Sequence, residues 1–234
     1  MNVSHQDAIG ILMLDTAFER FYGDIGNPDT WAFPVRYRVI DNCTPAEVIR
    51  LKSDDSLTTF FSAIDELIAE GVCGITTTCG FLGLYQSELA AHASVPVATS
   101  ALLQTPVVER LLPPGKRAGI LTFNANALSK DHLQAVGAAV DTPITGFSTD
   151  SVFYRWILEG RDDVSASQLQ DDVVAHAKRL QQHNPEVGAI VSECTNLTPF
   201  ARAIRQATGL PVYDMVTLMH WFRAGLQPPE FITS

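Results

Sequence analysis

Long apolar runs are missing from this chain of 234 residues, and no stretch approaches the length a bilayer-spanning helix needs. A helical membrane protein is therefore not expected. The start, Met1 to Asp7, has neither a basic flank nor a long apolar core, so it does not read as a secretory signal and the expected address is cytoplasmic. Clusters of Lys and Arg are missing too. With 16 basic against 26 acidic residues and a formal charge of −10, nucleic acid, whose phosphates need grouped cations, is not an expected partner. An anionic small molecule stays open, because a few N–H groups at helix N-termini bind a carboxylate whatever the net charge. Cysteines are few, at 43, 73, 79 and 194, and their spacing matches no metal finger. In a reducing compartment they stay thiols, which makes their reactivity the question. No metal and no cofactor is expected.

What is present is an ordinary globular composition, 46% apolar, enough for one large core or two small lobes. Apolar β-type runs alternate with helical patterns throughout, the mark of a parallel sheet covered by helices. The pattern predicts strands at Ala8–Leu14, Val35–Ile40, Val72–Thr77, Val95–Thr99, Arg117–Thr122, Thr142–Thr145, Val187–Ser192 and Pro211–Tyr213. The clearest helices are expected over Asp55–Ala69, Leu82–Ala93, Asn126–Val136, Ala166–Gln182, Thr198–Ala207 and Met215–Ala224, with a capping box formed by Ser165 and Gln168.

The chain also resembles itself. Cys79 stands 17 residues before Pro96, in Val95-Pro96-Val97, and Cys194 stands 17 before Pro211, in Leu210-Pro211-Val212. Ile9-Gly10-Ile11-Leu12 recurs as Ala118-Gly119-Ile120-Leu121. The fold expected is α/β, with two pseudo-symmetric lobes, each a mostly parallel sheet flanked by helices. Residues 1–100 plus 210–234 would form the N-terminal lobe and 101–209 the C-terminal one. Ligands in open α/β sheets bind outside the carboxyl ends of strands, where both cysteines fall, so the active site is expected in the cleft between the lobes.

Each of these cysteines ends a strand and opens a helix, so helix N–H groups should lower its pKa from about 8.5 toward neutrality. Two thiols on opposite sides of one substrate suit removal of a proton beside a carboxylate by one and its return by the other. Such a pair would share protons and titrate as a unit. The N–H groups of Gly80, Phe81, Thr195 and Asn196 would hold the substrate carboxylate, with Thr78 beside them. Asp15 and Thr16, at another strand end, could orient a thiol or receive a substrate ammonium, although a helix cap or a solvated loop acid serves equally well. Cys73, inside an apolar strand, and Cys43, beside Pro45, are expected to play no catalytic part. The turn-rich loop Gly23-Asp24-Ile25-Gly26-Asn27-Pro28 belongs to a connection long enough to cover the cleft. His92, His132, His176 and His183 read as exposed helix positions.

These residues resemble the aspartate/glutamate racemase superfamily. Cys194-Thr195-Asn196-Leu197-Thr198-Pro199 is similar to the Cys-Thr-His-aromatic/Leu-Pro segment around the second catalytic cysteine of glutamate racemases, and Asp15-Thr16 resembles their N-terminal Asp-Ser. The resemblance implies cofactor-independent thiol acid/base chemistry, Cys79 and Cys194 as the catalytic pair, a small carboxylate-bearing substrate, and a homodimer or higher homo-oligomer. Two departures stand out: Gly80-Phe81 replaces the Asn-Thr after the first cysteine, and Glu193 replaces the glycine before the second. Thr76-Thr77-Thr78-Cys79-Gly80-Phe81 looks more like the branch containing algal dimethylsulfoniopropionate lyases.

The expected function is therefore racemisation or isomerisation by two cysteines. The alternative is β-elimination from the same carbanion, with Trp31, Phe33, Tyr154 or Trp156 as candidates for an aromatic cage around a sulfonium. A ligand- or metal-binding module without turnover, using Cys79, Cys194 and a histidine such as His220, is the third possibility.

Overall fold

The computed structural model describes residues 7–48, 57–161 and 163–231. Two four-stranded sheets, all their strand pairs parallel, carry the fold. The first comprises β1 (Ile9–Leu14), β2 (Val35–Ile40), β3 (Gly74–Thr77) and β4 (Val97–Ala98), in the order β2-β1-β3-β4. The second comprises β5 (Arg117–Thr122), β6 (Ile144–Gly146), β7 (Val187–Ser192) and β8 (Val212–Tyr213), in the order β6-β5-β7-β8. The two orders are the same. The self-similar segments Ile9–Leu12 and Ala118–Leu121 thus fall on equivalent inner strands, and both cysteines follow equivalent inner strands, β3 and β7.

The inner strands β1, β3, β5 and β7 are almost wholly buried, as strands covered on both faces must be; β1, β5 and β7 are mostly apolar, and the threonines of β3 are held by bonds to the Ala98 and Thr99 carbonyls. The helices along the chain are α1 (Pro45–Val48), α2 (Thr58–Ala69), α3 (Gln86–His92), α4 (Thr105–Leu111), α5 (Lys130–Ala135), α6 (Val152–Glu159), α7 (Ala166–His183), α8 (Ala201–Thr208) and α9 (Met215–Leu226). The Ser165–Gln168 capping box forms, and α7 buries the stripe Leu169, Val173, His176, Ala177 and Leu180 at helical spacing. Strand β8 completes the second sheet, whereas Met215, Leu218 and Met219 of α9 share a core cluster with Ile9 and Ile11 of β1. Among the described residues no helix is long and apolar enough to cross a membrane.

Several expectations change. His132 and His176 are buried, not exposed. His132 closes a capping box with Ser129 and sets its ring edge-on to Phe81, while His176 bonds the Asp172 carbonyl and packs against Phe147. Each ring has one nitrogen bonded inside, although the Nε2 of His176 is buried without a partner among the described residues. Asp55 and Ser56, at the expected start of α2, lie outside the described residues. After each cysteine the chain first makes a six-residue 3-10 helix, Gly80–Tyr85 and Thr195–Phe200, and only then an α-helix. Helices α4 and α6 have clear sequence signals in hindsight: Pro106 opens α4, and α6 is capped by Ser151 and stopped by Gly160 at a positive φ of 62°.

Candidate active site

One pocket lies where the inner strands of both sheets end. Leu14 and Thr16 come from the end of β1, Thr78 through Phe81 follow β3, Phe123 follows β5, and Glu193 through Asn196 follow β7. Cys79 and Cys194 both line it, each buried with 8% of its surface exposed. Bonds through Thr78 hold the base. Thr195 Oγ1 donates to the Thr78 carbonyl across the lobes at 2.7 Å, and within the first lobe the Leu14 N–H donates to Thr78 Oγ1 at 3.1 Å.

The long connection after β1 is tied to the second lobe and supplies part of the pocket wall. Asp24, 1% exposed, accepts from Asn196 Nδ2 at 2.7 Å, from the Gly26 N–H at 2.7 Å and from Arg20 at 2.9 Å. Arg20 also donates to Thr16 Oγ1 at 2.9 Å and lies over the Phe18 ring. Through these bonds Thr16, Phe18 and Arg20 become part of the pocket wall. On the second lobe α6 backs the same wall: Ile157 lines it, Trp156 packs on Phe18 with ring centroids 4.9 Å apart, and Tyr154 stacks on Phe123 at 4.7 Å.

Backbone N–H groups of Phe81 and Leu82 point at the Cys79 sulfur, and that of Asn196 at the Cys194 sulfur. Even so, the expected lowering of the thiol pKa is reversed. Burial pushes both thiols up, and the nearby Glu193 charge pushes them further, outweighing the N–H donors. Glu193 itself is 1% exposed, and burial raises its carboxyl from 4.5 to about 7 against the pull of hydrogen bonds from Thr122 Oγ1 (2.7 Å) and the Phe123 N–H (3.4 Å).

Glycine at position 80 is a steric requirement. A Cβ there would sit 2.2 Å from Glu193 Oε1 and 2.3 Å from the Glu193 carbonyl oxygen. Gly80→Ala must therefore push the two strand ends apart, at a cost of about 1–3 kcal/mol of stability, read as a lower urea midpoint. Because the carbonyl contact is backbone, truncating Glu193 as well is not expected to restore that midpoint.

No family model matches the chain. A dimethylsulfoniopropionate lyase of Durusdinium sp. clade D is 32% identical over 246 residues, an alignment covering 98% of this chain and 78% of that one. The chain belongs to the dimethylsulfoniopropionate lyase family. A second relative, dimethylsulfoniopropionate lyase 3 of Emiliania huxleyi (strain CCMP1516), is 28% identical over 251 residues, and the match spans 98% of this chain but 62% of that longer protein. Among solved structures, a mutant arylmalonate decarboxylase in a sulfate-associated form superposes with a TM-score of 0.66 at 14% identity, covering 95% of this chain and 97% of the other. Glutamate racemase from Francisella tularensis subsp. tularensis SCHU S4, in complex with D-glutamate, gives 0.57 at 15% identity, covering 97% and 85%. The α/β fold of two similar parallel-sheet lobes is thus that of the aspartate/glutamate racemase superfamily, with sequence affinity to its lyase branch.

In this family member the expected site residues Thr16, Thr78, Cys79, Gly80, Phe81, Cys194, Thr195 and Asn196 all line one pocket. Asp15 does not: it is exposed and borders a shallower surface hollow. None of the expected cage aromatics lines the pocket either. Trp31 and Phe33 pack with His220 in the α9 cluster, while Trp156 and Tyr154 stand behind the rings that do face inward, Phe18 and Phe123. His220 accordingly does not join the two thiols, and among the described residues no group of three His, Cys, Asp or Glu could hold a metal. Arg20 was missed. Its sole sequence signal was a cation followed four residues later by an acid in the covering loop.

Proposed function

We propose that this protein eliminates dimethyl sulfide from dimethylsulfoniopropionate, a cysteine thiolate taking the α-proton. The bond pair of that C–H becomes the double bond of acrylate, the Cβ–S bond breaks, and its electron pair leaves with sulfur. The observation that carries the reading is the composition of the pocket, which among the described residues holds two thiols, one guanidinium, one buried carboxyl and three phenyl rings. Arg20 spends two of its five N–H donors on Asp24 and Thr16, and the rest suit a substrate carboxylate. Phe81 and Phe123 line the pocket, an aromatic surrounding that suits a sulfonium, a cation that donates no hydrogen bonds.

The raised thiol pKa supports the same choice. A sulfonium beside the sulfurs counters negative charge there, so the substrate itself promotes the thiolate that attacks it. The test is release of dimethyl sulfide and acrylate in equal amounts from dimethylsulfoniopropionate, with none from its methyl ester, which offers Arg20 no charge. Release no faster than a blank without enzyme removes the reading.

Racemisation keeps one specific observation in its favour, the equivalence of the two thiols in the two sheets. It predicts exchange of an α-hydrogen in deuterated water on a small carboxylic acid that has no leaving group.

A further inference from the structure

Elimination and racemisation differ in their proton balance. A racemase returns one proton for each that it takes. Elimination leaves a proton on the base in every cycle, and that proton must depart before the thiolate can act again. Both thiols line the pocket, and because burial opposes their ionisation they give that proton up to water slowly.

Among the described residues one carboxyl lines the pocket, and it belongs to Glu193. It adjoins Cys194 in sequence, and its Oε1 sits against Gly80, the residue after Cys79, so closely that only a glycine fits. Its Oε2 is held from the second lobe by Thr122 Oγ1 at 2.7 Å. Its charge acts on both sulfurs. The other ionisable groups around the pair are Cys43 near Cys79, Asp24 near Cys194, and Arg20 across the pocket. Asp24 is committed to Arg20, Gly26 and Asn196, and among the described residues no imidazole lines the wall.

We infer that Glu193 takes the proton that elimination leaves on the thiol and passes it to solvent, acting through the cysteine and not on the substrate. The S–H bond breaks as an O–H bond forms on the carboxylate, the thiolate is restored, and the carboxyl, which lines the pocket, then gives its proton to water that refills the pocket as the products leave. No oxidant or co-reactant enters. A carboxyl titrating at about 7 suits this task, because near neutrality it both accepts and releases a proton readily. The inference rests on the elimination reading above.

Glu193→Gln tests it with little disturbance, since the amide oxygen can still accept from Thr122 and Phe123. The variant is expected to form its first equivalent of acrylate as fast as the wild type and then to turn over about 100-fold more slowly, with Glu193→Asp restoring part of the loss. Removing the negative charge should also make both thiols more acidic, so iodoacetamide should alkylate them faster at neutral pH even as steady-state turnover falls. Unchanged steady-state turnover overturns the inference. A first turnover slowed as much as the later ones overturns it too, since Glu193 would then serve C–H cleavage or the fold. Slower alkylation likewise counts against it, because the carboxylate would not be restraining thiol ionisation. If the wild type forms no acrylate, the elimination reading falls and the proton export with it, while faster alkylation of the variant still shows that Glu193 acts on the thiols.

Discussion

Cys79→Ser is expected to lower dimethyl sulfide release about 1,000-fold or more, and Cys194→Ser by no more than about 10-fold. The two sulfurs occupy equivalent places in the two sheets but not equivalent surroundings. Cys79 receives N–H groups from both Phe81 and Leu82, two donors that favour its thiolate. Cys194 receives one, from Asn196, faces the Asp24 charge as well as that of Glu193, and itself donates to Asn196 Oδ1 at 3.7 Å. It is therefore placed to remain a thiol. Elimination needs one base, and a serine hydroxyl is too weak an acid to supply an oxyanion in its place. Initial rates of dimethyl sulfide and acrylate formation by the two variants check the asymmetry. Equal losses would return the pair to the two-base scheme and strengthen racemisation.

This asymmetry was not legible in the sequence, although the pair was. Both thiols could be located because a strand–turn–helix unit is local, and because its second copy repeats the spacing from cysteine to proline. The parallel strands were equally local, since burial on both faces leaves β1, β5 and β7 built mostly from apolar residues and glycine. The pocket walls are another matter. Arg20, Phe18, Phe123 and Ile157 reach the thiols through contacts between residues far apart in the chain, and no period or motif announces them. The loop after β1 shows why Asp15 was a poor guide: the chain leaves the strand with Asp15 turned outward, and its acidic anchor is Asp24, bonded to Asn196 172 residues away. Glu193 stood out in sequence only as a departure from a glycine. Its meaning depends on Gly80, which makes room for it from the other lobe.

Glu193 should also leave a signature in stability. Its carboxyl titrates at about 7 in the folded chain against an ordinary 4.5, so between those values the folded state holds the proton more tightly than the unfolded one. Stability must then fall as pH rises from 4.5 to about 7, and level off above, by about 3 kcal/mol in all. Other groups add slopes of their own, among them Asp172, whose pKa is lowered despite burial by its bonds to His176 and the Phe153 N–H, and Asp214, raised by burial. These are common to the wild type and Glu193→Gln and cancel in the difference between them. Urea unfolding of both proteins across that pH range is expected to show the variant gaining about 3 kcal/mol relative to the wild type as pH rises, with most of the gain reached by neutrality. Parallel curves would mean that Glu193 is not held protonated by the fold. A variant that becomes the more stable protein while turning over more slowly would identify Glu193 as a residue kept for turnover at the expense of the folded state.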